Sequence, residues 1–319
     1  MKSASIEKII EVFPHPNADA LEFVKVLGYQ CIVPKGKWNV GDWCVLIQPD
    51  TVLPDVQWAK VYKEKSNRVK AIRLRGEWSF GIVEDLTILG GDRAIIEMAL
   101  PTEGLEVSEE IGVTKYEAPT PNNLEAKGGL PFGIPKTDEE RWQNLQIDRY
   151  IGHPCIITQK IDGQSFTAYY KDGQFGITGR TQEMMPEYDN HFTRNAAKYD
   201  LERKLRDYGK NIAIRGEQYG GGIQNSGKNP HGKLPVGLMF FSALDLDTLK
   251  YLAPQDMLAV FAELDLPTVP VVEVGILSKE MIDKYSTIDN LNGEMFEGVV
   301  ISGNGWSFKV INLNYDSKK

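Results

Sequence analysis

Gln159-Lys160-Ile161-Asp162-Gly163-Gln164-Ser165 lies near the middle of the 319-residue chain, between the apolar run Cys155-Ile156-Ile157 and the alternating run Phe166–Tyr170. The pattern predicts two strands around a tight acidic turn. The first strand delivers Lys160 to its end, Asp162 follows two residues later, and Gly163 lets the chain turn sharply and approach a ligand closely. A lysine held there acts as a nucleophile once its ammonium loses a proton. Alone, the same string also describes a solvated turn, so its meaning depends on what the rest of the chain supplies.

Downstream, Ser165–Tyr170 and Gln174–Thr178 flank Asp172-Gly173 and predict a β-hairpin. Arg194–Tyr208 is expected as one polar amphipathic helix closed by Gly209. Ile212-Ala213-Ile214 predicts a short buried strand entering Arg215-Gly216-Glu217, and Leu238–Leu246 predicts another strand. Helices are expected at Gln255–Leu264, behind Pro254, and at Ser278–Asp289, with Ser278 as the cap. Phe296–Ser302 and Ser307–Ile311 read as the last strands. Upstream, Thr137-Asp138-Glu139-Glu140 has the spacing of a capping box and predicts a helix continuing through Arg141–Leu145.

The N-terminal third has a different texture. Short apolar runs at Ile6–Phe13, Phe23–Leu27, Tyr29–Val33, Trp43–Ile47, Val69–Arg75 and Ile82-Val83 are separated by Gly, Pro and Asn, as in a small closed β-barrel. His15, between two prolines, reads as a surface turn residue. Lys60, Lys63, Lys65, Arg68, Lys70, Arg73 and Arg75 stand against one acid, Glu64; the strip is either a solvated edge strand or a phosphate-contacting surface. Pro, Gly and Asn concentrate at 117–123 and 128–135, which predicts a linker. The expected organisation is a nucleic-acid-binding barrel at 1–115, a linker at 116–135 and a second domain at 136–319.

Composition narrows the class. The chain holds no apolar run of about 18 residues, so no membrane helix is expected, and its first residues lack the apolar segment of a signal peptide. Three dispersed cysteines, Cys31, Cys44 and Cys155, argue against a disulfide framework or zinc site and point to a cytoplasmic protein. The net charge of −8 means that any nucleic-acid binding must use a local basic patch. His153, His191 and His231 have no partner at metal-ligand spacing, and Gly220-Gly221-Gly222 lacks the lysine that completes a P-loop.

Five strings in the second domain place charged or aromatic groups beside apolar strands: Lys160-Ile161-Asp162-Gly163, Gly179-Arg180-Thr181, Arg215-Gly216-Glu217, Phe240-Phe241-Ser242-Ala243-Leu244-Asp245, and Glu297-Gly298-Val299-Val300 ahead of Ser307-Phe308-Lys309. This ordered set, spanning most of 137–312, resembles the covalent nucleotidyltransferase superfamily of RNA ligases, DNA ligases and capping enzymes. The Phe308-Lys309-Val310-Ile311-Asn312 ending, Leu74–Gly81 and Lys136-Thr137-Asp138-Glu139 look most like ATP-dependent RNA ligases of the Naegleria type. These carry a leading oligonucleotide-binding (OB) domain. The Pro14–Leu21 string, with Asn17 and Asp19, also resembles the opening of tRNA-binding OB modules.

The resemblance implies an α+β chain: an OB-like barrel followed by a nucleotidyltransferase (ATP-grasp-like ligase) domain of antiparallel sheets with flanking helices. It implies that Lys160 attacks the α-phosphorus of ATP, forming lysyl-AMP, and that the AMP passes to a 5′-phosphate before a 3′-hydroxyl displaces it. Gln159, Lys160, Ile161, Arg180, Glu217, Phe240, Phe241, Glu297 and Lys309 would form the ATP/AMP site. Arg180 and Lys309 would hold phosphates, Glu217 the ribose, and Phe240 or Phe241 would stack on adenine. Asp162 and Glu297 would hold Mg2+ or Mn2+. Lys70, Arg73 and Arg75 would contact RNA bearing 3′-OH and 5′-phosphate ends, with nicked duplex favoured and a monomeric enzyme expected. A capping-type guanylyltransferase and a non-catalytic nucleic-acid-binding protein are the alternatives. Many family members carry a second lysine one residue from the last; here those positions are Ser307 and Ile311, leaving Lys318 and Lys319 as substitutes or solvated ends. Only ten residues follow Lys309, so a trailing OB domain is not expected.

Overall fold

A computed structural model describes residues 2–64, 66–91, 96, 102–116, 125–223 and 229–316. The chain divides into two units, Met1–Pro119 with Gln143–Gln146, and Thr120–Trp142 with Ile147–Lys319. Strands of the first unit are β1 (Ala4–Pro14), β2 (Leu21–Val26), β3 (Tyr29–Pro34), β4 (Trp43–Ile47), β5 (Thr51–Val52), β6 (Ala71–Leu74), β7 (Glu77–Phe80), β8 (Ile82–Glu84), β9 (Leu105–Glu106) and β10 (Thr114–Lys115). β3-β2-β1-β4-β8 form a continuous antiparallel sheet, with β9 also on β1. The β6–β7 hairpin lies along β3: the Ser79 hydroxyl accepts from Ile32 N at 2.9 Å and Gln30 Nε2 donates to Trp78 O at 3.1 Å. That contact nearly closes the sheet into the expected barrel.

β4 explains the uninterrupted apolar run at 43–47. Cys44 and Leu46 face a cluster with Val24, Val26, Tyr29 and Trp38, whereas Val45 and Ile47 face a second cluster with Leu53, Ala59, Leu86 and Val113. Both faces are buried, so alternation disappears from the sequence.

Two expectations for this unit change. The basic strip is not one strand: Lys60–Lys63 is a helical turn, and β6 starts only at Ala71. Lys63 pairs with Asp55, and Arg68 pairs with Asp50 while lying over the Tyr116 ring. Lys65 lies outside the described residues. His15 is buried rather than on the surface. It stacks on Phe23 at 5.0 Å, accepts from Asn17 N at Nδ1, and its Nε2 lies 3.2 Å from Leu74 O. The prolines on either side thus hold a strut between the first turn and the β6–β7 hairpin, because an imidazole pointed inward must have both ring nitrogens satisfied.

The second unit contains β11 (Ala126–Gly129), β12 (Pro154–Lys160), β13 (Gln164–Lys171), β14 (Gln174–Thr178), β15 (Gln182–Met184), β16 (Ile212–Tyr219), β17 (Gly237–Asp245), β18 (Lys250–Tyr251), β19 (Val271–Ile276), β20 (Gly298–Gly303) and β21 (Trp306–Ile311). They make two antiparallel sheets, β11-β15-β14-β13-β16-β17-β18 and β19-β12-β20-β21. The helices His191–Lys198, Leu201–Tyr208 and Pro254–Glu263 cover one face of the larger sheet, packing Phe192, Leu205 and Phe261 against Phe166, Ile214 and Phe240. The hairpin turn falls at Asp172-Gly173, both with positive φ.

Here too the boundaries shift. Part of the stretch expected as linker is β11, paired with β15, while 117–124 lie outside the described residues. The single helix expected at Arg194–Tyr208 is two, broken at Asp200, whose φ is +52°. Asn190, not Arg194, starts the first: its side chain accepts from Phe192 N and Thr193 N. The short strand expected at 212–214 runs through to Tyr219. Ser278 does cap its helix, Lys279–Thr287.

Thr137–Leu145 does not form the expected helix. Residues 137–140 have no regular secondary structure and only Trp142–Asn144 turns as a 3-10 helix. The capping groups are used elsewhere. Thr137 Oγ1 bonds Ser165 Oγ, Glu139 Oε2 accepts from Ser307 Oγ at 2.5 Å, and Glu140 O accepts from Lys309 N at 2.8 Å. Bound sideways to β21 through Glu140 O and the Arg141–Lys309 bridge, the segment runs alongside that strand instead of winding into a helix.

Candidate active site

The two sheets of the second unit meet at the Lys160 stretch. β12, in one sheet, ends at Lys160, and β13, in the other, begins four residues later. β12 pairs with β20 so that Lys160 lies opposite Gly298, which puts the preceding residue, Glu297, beside the lysine. Lys160 Nζ donates to Glu297 Oε2 at 2.7 Å. β13 pairs with β16, aligning Ser165 with Glu217. Gly163 is required by this approach: a Cβ there would lie 2.3 Å from Gln218 O and 2.9 Å from Glu217 Cγ. Without a Cβ, the Gly163 backbone N–H comes close enough to the Glu217 carboxyl to favour its charged form.

Lys160 thus faces three carboxyl groups. Burial pushes its pKa down, but Glu297, Glu217 and Asp162 outweigh burial and hold the ammonium above its ordinary range. Glu217 responds in the opposite sense. Burial, with Glu297 and Asp162 adding like charge, pushes its carboxyl up to about 8 against the opposing pull of Lys160 and the Gly163 N–H. Asp162 is buried; its Oδ2 accepts from the Tyr315 hydroxyl and its carbonyl from Asn229 Nδ2 at 2.7 Å. Tyr315 and Asn229 are themselves buried, so the acidic turn is fixed from two sides.

A cationic region adjoins it. Lys309 on β21 and Arg180, just past β14, both bind Asp138: Lys309 Nζ to Oδ1 at 3.0 Å and Arg180 Nη2 to Oδ2 at 3.1 Å. Burial lowers the Lys309 pKa, Asp138 opposes this, and Arg141 and Lys160 add to it. The two lysines of the site are therefore tuned in opposite directions.

The candidate residues divide accordingly. Lys160, Asp162, Glu217 and Glu297 come together, and Arg180 joins Lys309 through Asp138. Gln159 and Ile161 flank the lysine; Ile161 is buried, and strand alternation turns the Gln159 side chain away from the Lys160 face. Phe240 is a correction. It is fully buried against Phe166 and Phe261, with its backbone held by Pro267 and Val269, so its ring cannot stack on a ligand. Phe241, half-buried at the β-bulge where Arg215 pairs with Ser242 and Gly216 with Phe240, is the remaining aromatic candidate. His231 is buried and His153 exposed, and among the described residues no three His, Cys, Asp or Glu side chains are placed to ligate one ion together. Asp138, Arg141, Tyr315 and Asn229 escaped the sequence analysis. Asp138 appeared there only within the capping-box and family-resemblance strings, Arg141 only as part of the expected helix, and Tyr315 and Asn229 lie in none of the strings singled out.

In the first unit, Lys70, just before β6, and Arg73 and Arg75, at the β6–β7 turn, are exposed. Arg73 Nε donates to Gly76 O at 2.7 Å and its guanidinium lies 5.6 Å from the Trp78 ring centroid, with Phe80 stacked behind Trp78 at 6.1 Å. No helix among the described residues is long and apolar enough to cross a membrane.

Comparison with known proteins follows the same division. An RNA ligase family model matches residues 153–311, and an OB-fold domain model matches residues 3–86. No curated protein sequence matches the chain. Among solved structures, the Naegleria gruberi RNA ligase with PPi is 30% identical, with a TM-score of 0.86 over 99% of this chain and 98% of that one. A lysine-to-alanine mutant of the same ligase with ATP and Mn is 29% identical, with a TM-score of 0.88 over 99% and 98%. A lysine-to-methionine mutant with AMP and Mn is 28% identical, with a TM-score of 0.87 over the same shares.

Proposed function

This chain belongs to the RNA ligase family, and from that premise we propose that Lys160 carries AMP and that the enzyme joins RNA 3′-hydroxyl to 5′-phosphate ends. It is an ATP-dependent RNA ligase. The observation that carries the residue assignment is Lys160 held 2.7 Å from Glu297 and facing Glu217 and Asp162, with Lys309 and Arg180 in the same unit.

In the first step Lys160 Nζ bonds to the α-phosphorus, the bond to the β-phosphate oxygen breaks, and pyrophosphate leaves as the amine sheds its proton. The resting lysine cannot do this, because its three carboxyl neighbours favour the ammonium. Bound through waters to Asp162 and Glu297, Mg2+ or Mn2+ would supply positive charge that favours the neutral amine and offsets phosphate charge. Two carboxylates flanking the lysine suit that hard cation, and outer-sphere binding fits a site with no three-residue ligand cluster among the described residues. Lys309 and Arg180 would receive the β- and γ-phosphates, where fixed cations stabilise the leaving pyrophosphate. Glu217, kept neutral near pH 7 by burial, can donate as well as accept a hydrogen bond, which suits a ribose hydroxyl. Phe241 is the adenine-stacking candidate. Lys160 then releases AMP to the RNA 5′-phosphate, and attack by the 3′-hydroxyl expels it.

The first unit would supply RNA contacts through Lys70, Arg73 and Arg75, with Trp78 as an aromatic platform beside Arg73; nicked duplex RNA is the favoured substrate and a monomer the favoured state. The three cysteines are buried thiols outside any disulfide, which suits a reducing compartment such as the cytoplasm. Intact mass spectrometry tests the central assignment. Protein incubated with ATP and Mg2+ gains the mass of one AMP, and Lys160→Ala protein gains none. GTP in place of ATP gives no adduct. An equal adduct on Lys160→Ala would refute the assignment.

A further inference from the structure

Asp138 sits where a phosphate is expected. Its carboxylate binds two cations, Oδ1 with Lys309 at 3.0 Å and Oδ2 with Arg180 at 3.1 Å, an arrangement that two oxygens of a phosphate group would also satisfy. We propose that Asp138 is a positioning residue that acts as a built-in phosphate surrogate. It holds Lys309 and Arg180 in place while the site is empty and is displaced by the polyphosphate. The proposal rests on the assignment of those two cations to the phosphates of ATP.

The backbone around Asp138 makes exchange possible without unfolding. Residues 135–141 form a strap anchored on both sides of it. Arg215 Nη2 donates to Pro135 O, and Thr137 Oγ1 bonds Ser165 Oγ. Beyond Asp138, Glu139 takes Ser307 Oγ, and Glu140 O takes Lys309 N. These anchors use neither oxygen of Asp138. A phosphate can therefore take the two cations by rotating one short side chain, and the strap returns the carboxylate when the phosphate leaves. Asp138 is 22% exposed and Lys309 15%, so the contact lies at the rim of the site and not sealed in its core.

An internal competitor weakens the apparent affinity of the external ligand by the fraction of molecules in which the cations are free. Two partly exposed ion pairs of ordinary strength correspond to a free fraction of about one tenth. Removing the charge should therefore tighten anion binding. Damage to the strap would loosen it, so the sign separates the two.

The experiment is calorimetric titration of the full chain, freed of any AMP adduct and checked by intact mass, with pyrophosphate alone at low salt. Asp138→Asn is expected to bind pyrophosphate about tenfold more tightly than the unsubstituted chain. Asp138→Ser should shift affinity in the same direction, so the result does not depend on one variant folding. Glu139→Gln, which weakens an anchor and leaves the carboxylate of Asp138 in place, should give no tightening. Equal or weaker binding by both Asp138 variants, or equal tightening by Glu139→Gln, overturns the proposal. Failure of the underlying assignment looks different: Lys309→Ala would then bind pyrophosphate as well as the unsubstituted chain does.

Discussion

Glu217→Gln should change how folding stability depends on pH. A carboxyl whose folded pKa is raised from 4.5 to about 8 binds its proton more tightly in the folded state. Stability therefore falls as pH rises from about 4.5 to about 8, because the unfolded chain gives up that proton first. The ceiling is roughly 5 kcal/mol, from about 1.36 kcal/mol per pH unit. Glu217 is not fully buried and is coupled to Lys160, so an effect of about 1–3 kcal/mol is the reasonable expectation. Lys160 does not confuse the window. Its pKa is raised above 10.5, so its contribution is fully present below that value and is lost only as pH rises through the folded pKa. Glutamine keeps the shape and one oxygen of the side chain but cannot ionise. Urea unfolding of both proteins at pH 5 and pH 8.5 measures the effect directly. Relative to the unsubstituted chain, Glu217→Gln should be more stable at pH 8.5 than at pH 5 by about 1–3 kcal/mol. Parallel pH profiles, or a variant that loses ground at pH 8.5, would refute the inference that this carboxyl is held neutral.

Three further outcomes are expected. Gly163→Ala forces a Cβ to within 2.3 Å of Gln218 O, so lysyl-AMP formation should slow about a hundredfold, with about 1–3 kcal/mol of stability lost; stopped-time mass spectrometry showing an unchanged rate would count against the close packing. His15→Ala removes the stack on Phe23 and the ring contacts to Leu74 and Asn17, so amide exchange across residues 71–80 should accelerate while adduct formation on Lys160 is unaffected. Arg73→Glu with Arg75→Glu should weaken RNA joining and flatten its salt dependence while sparing lysyl-AMP formation; loss of both steps would assign the hairpin a folding role instead.

The legible part of the fold was the part governed by local chemistry. Asp172-Gly173 fixes a hairpin because its turn needs two positive φ values, and Ser278 caps its helix through one hydroxyl. The lysine strand was visible because an apolar run had to end at a charge. Thr137–Glu140 misled because its groups satisfy the capping pattern equally well with partners on β13 and β21, strands that lie far away in sequence. Phe240 and Phe241 are adjacent and chemically identical. Only the bulge in β17 and the helix Pro254–Glu263 packed over Phe240 distinguish them. His15 was misplaced because its flanking prolines mark a turn but do not say which way the ring points.

Charge accounting connects these points to the reaction. Around Lys160 stand Asp162, Glu217 and Glu297; if all three were ionised, one ammonium would face three negative charges. Holding Glu217 neutral leaves two carboxylates against one ammonium, a deficit of one positive charge that a divalent cation more than fills. On the other side, Lys309 and Arg180 share the single carboxylate of Asp138, and Arg141 adds further positive charge beside Lys309. The empty site is thus partly neutralised at both ends by its own side chains. ATP with its cation completes both halves, and each internal pair must be exchanged for an external one. On the proposed assignment, Lys160 would exchange Glu297 for the α-phosphorus, and Lys309 would exchange Asp138 for the leaving pyrophosphate. If Asp138 were only a structural anchor, its removal would weaken pyrophosphate binding, and the exchange would be confined to the lysine end of the site.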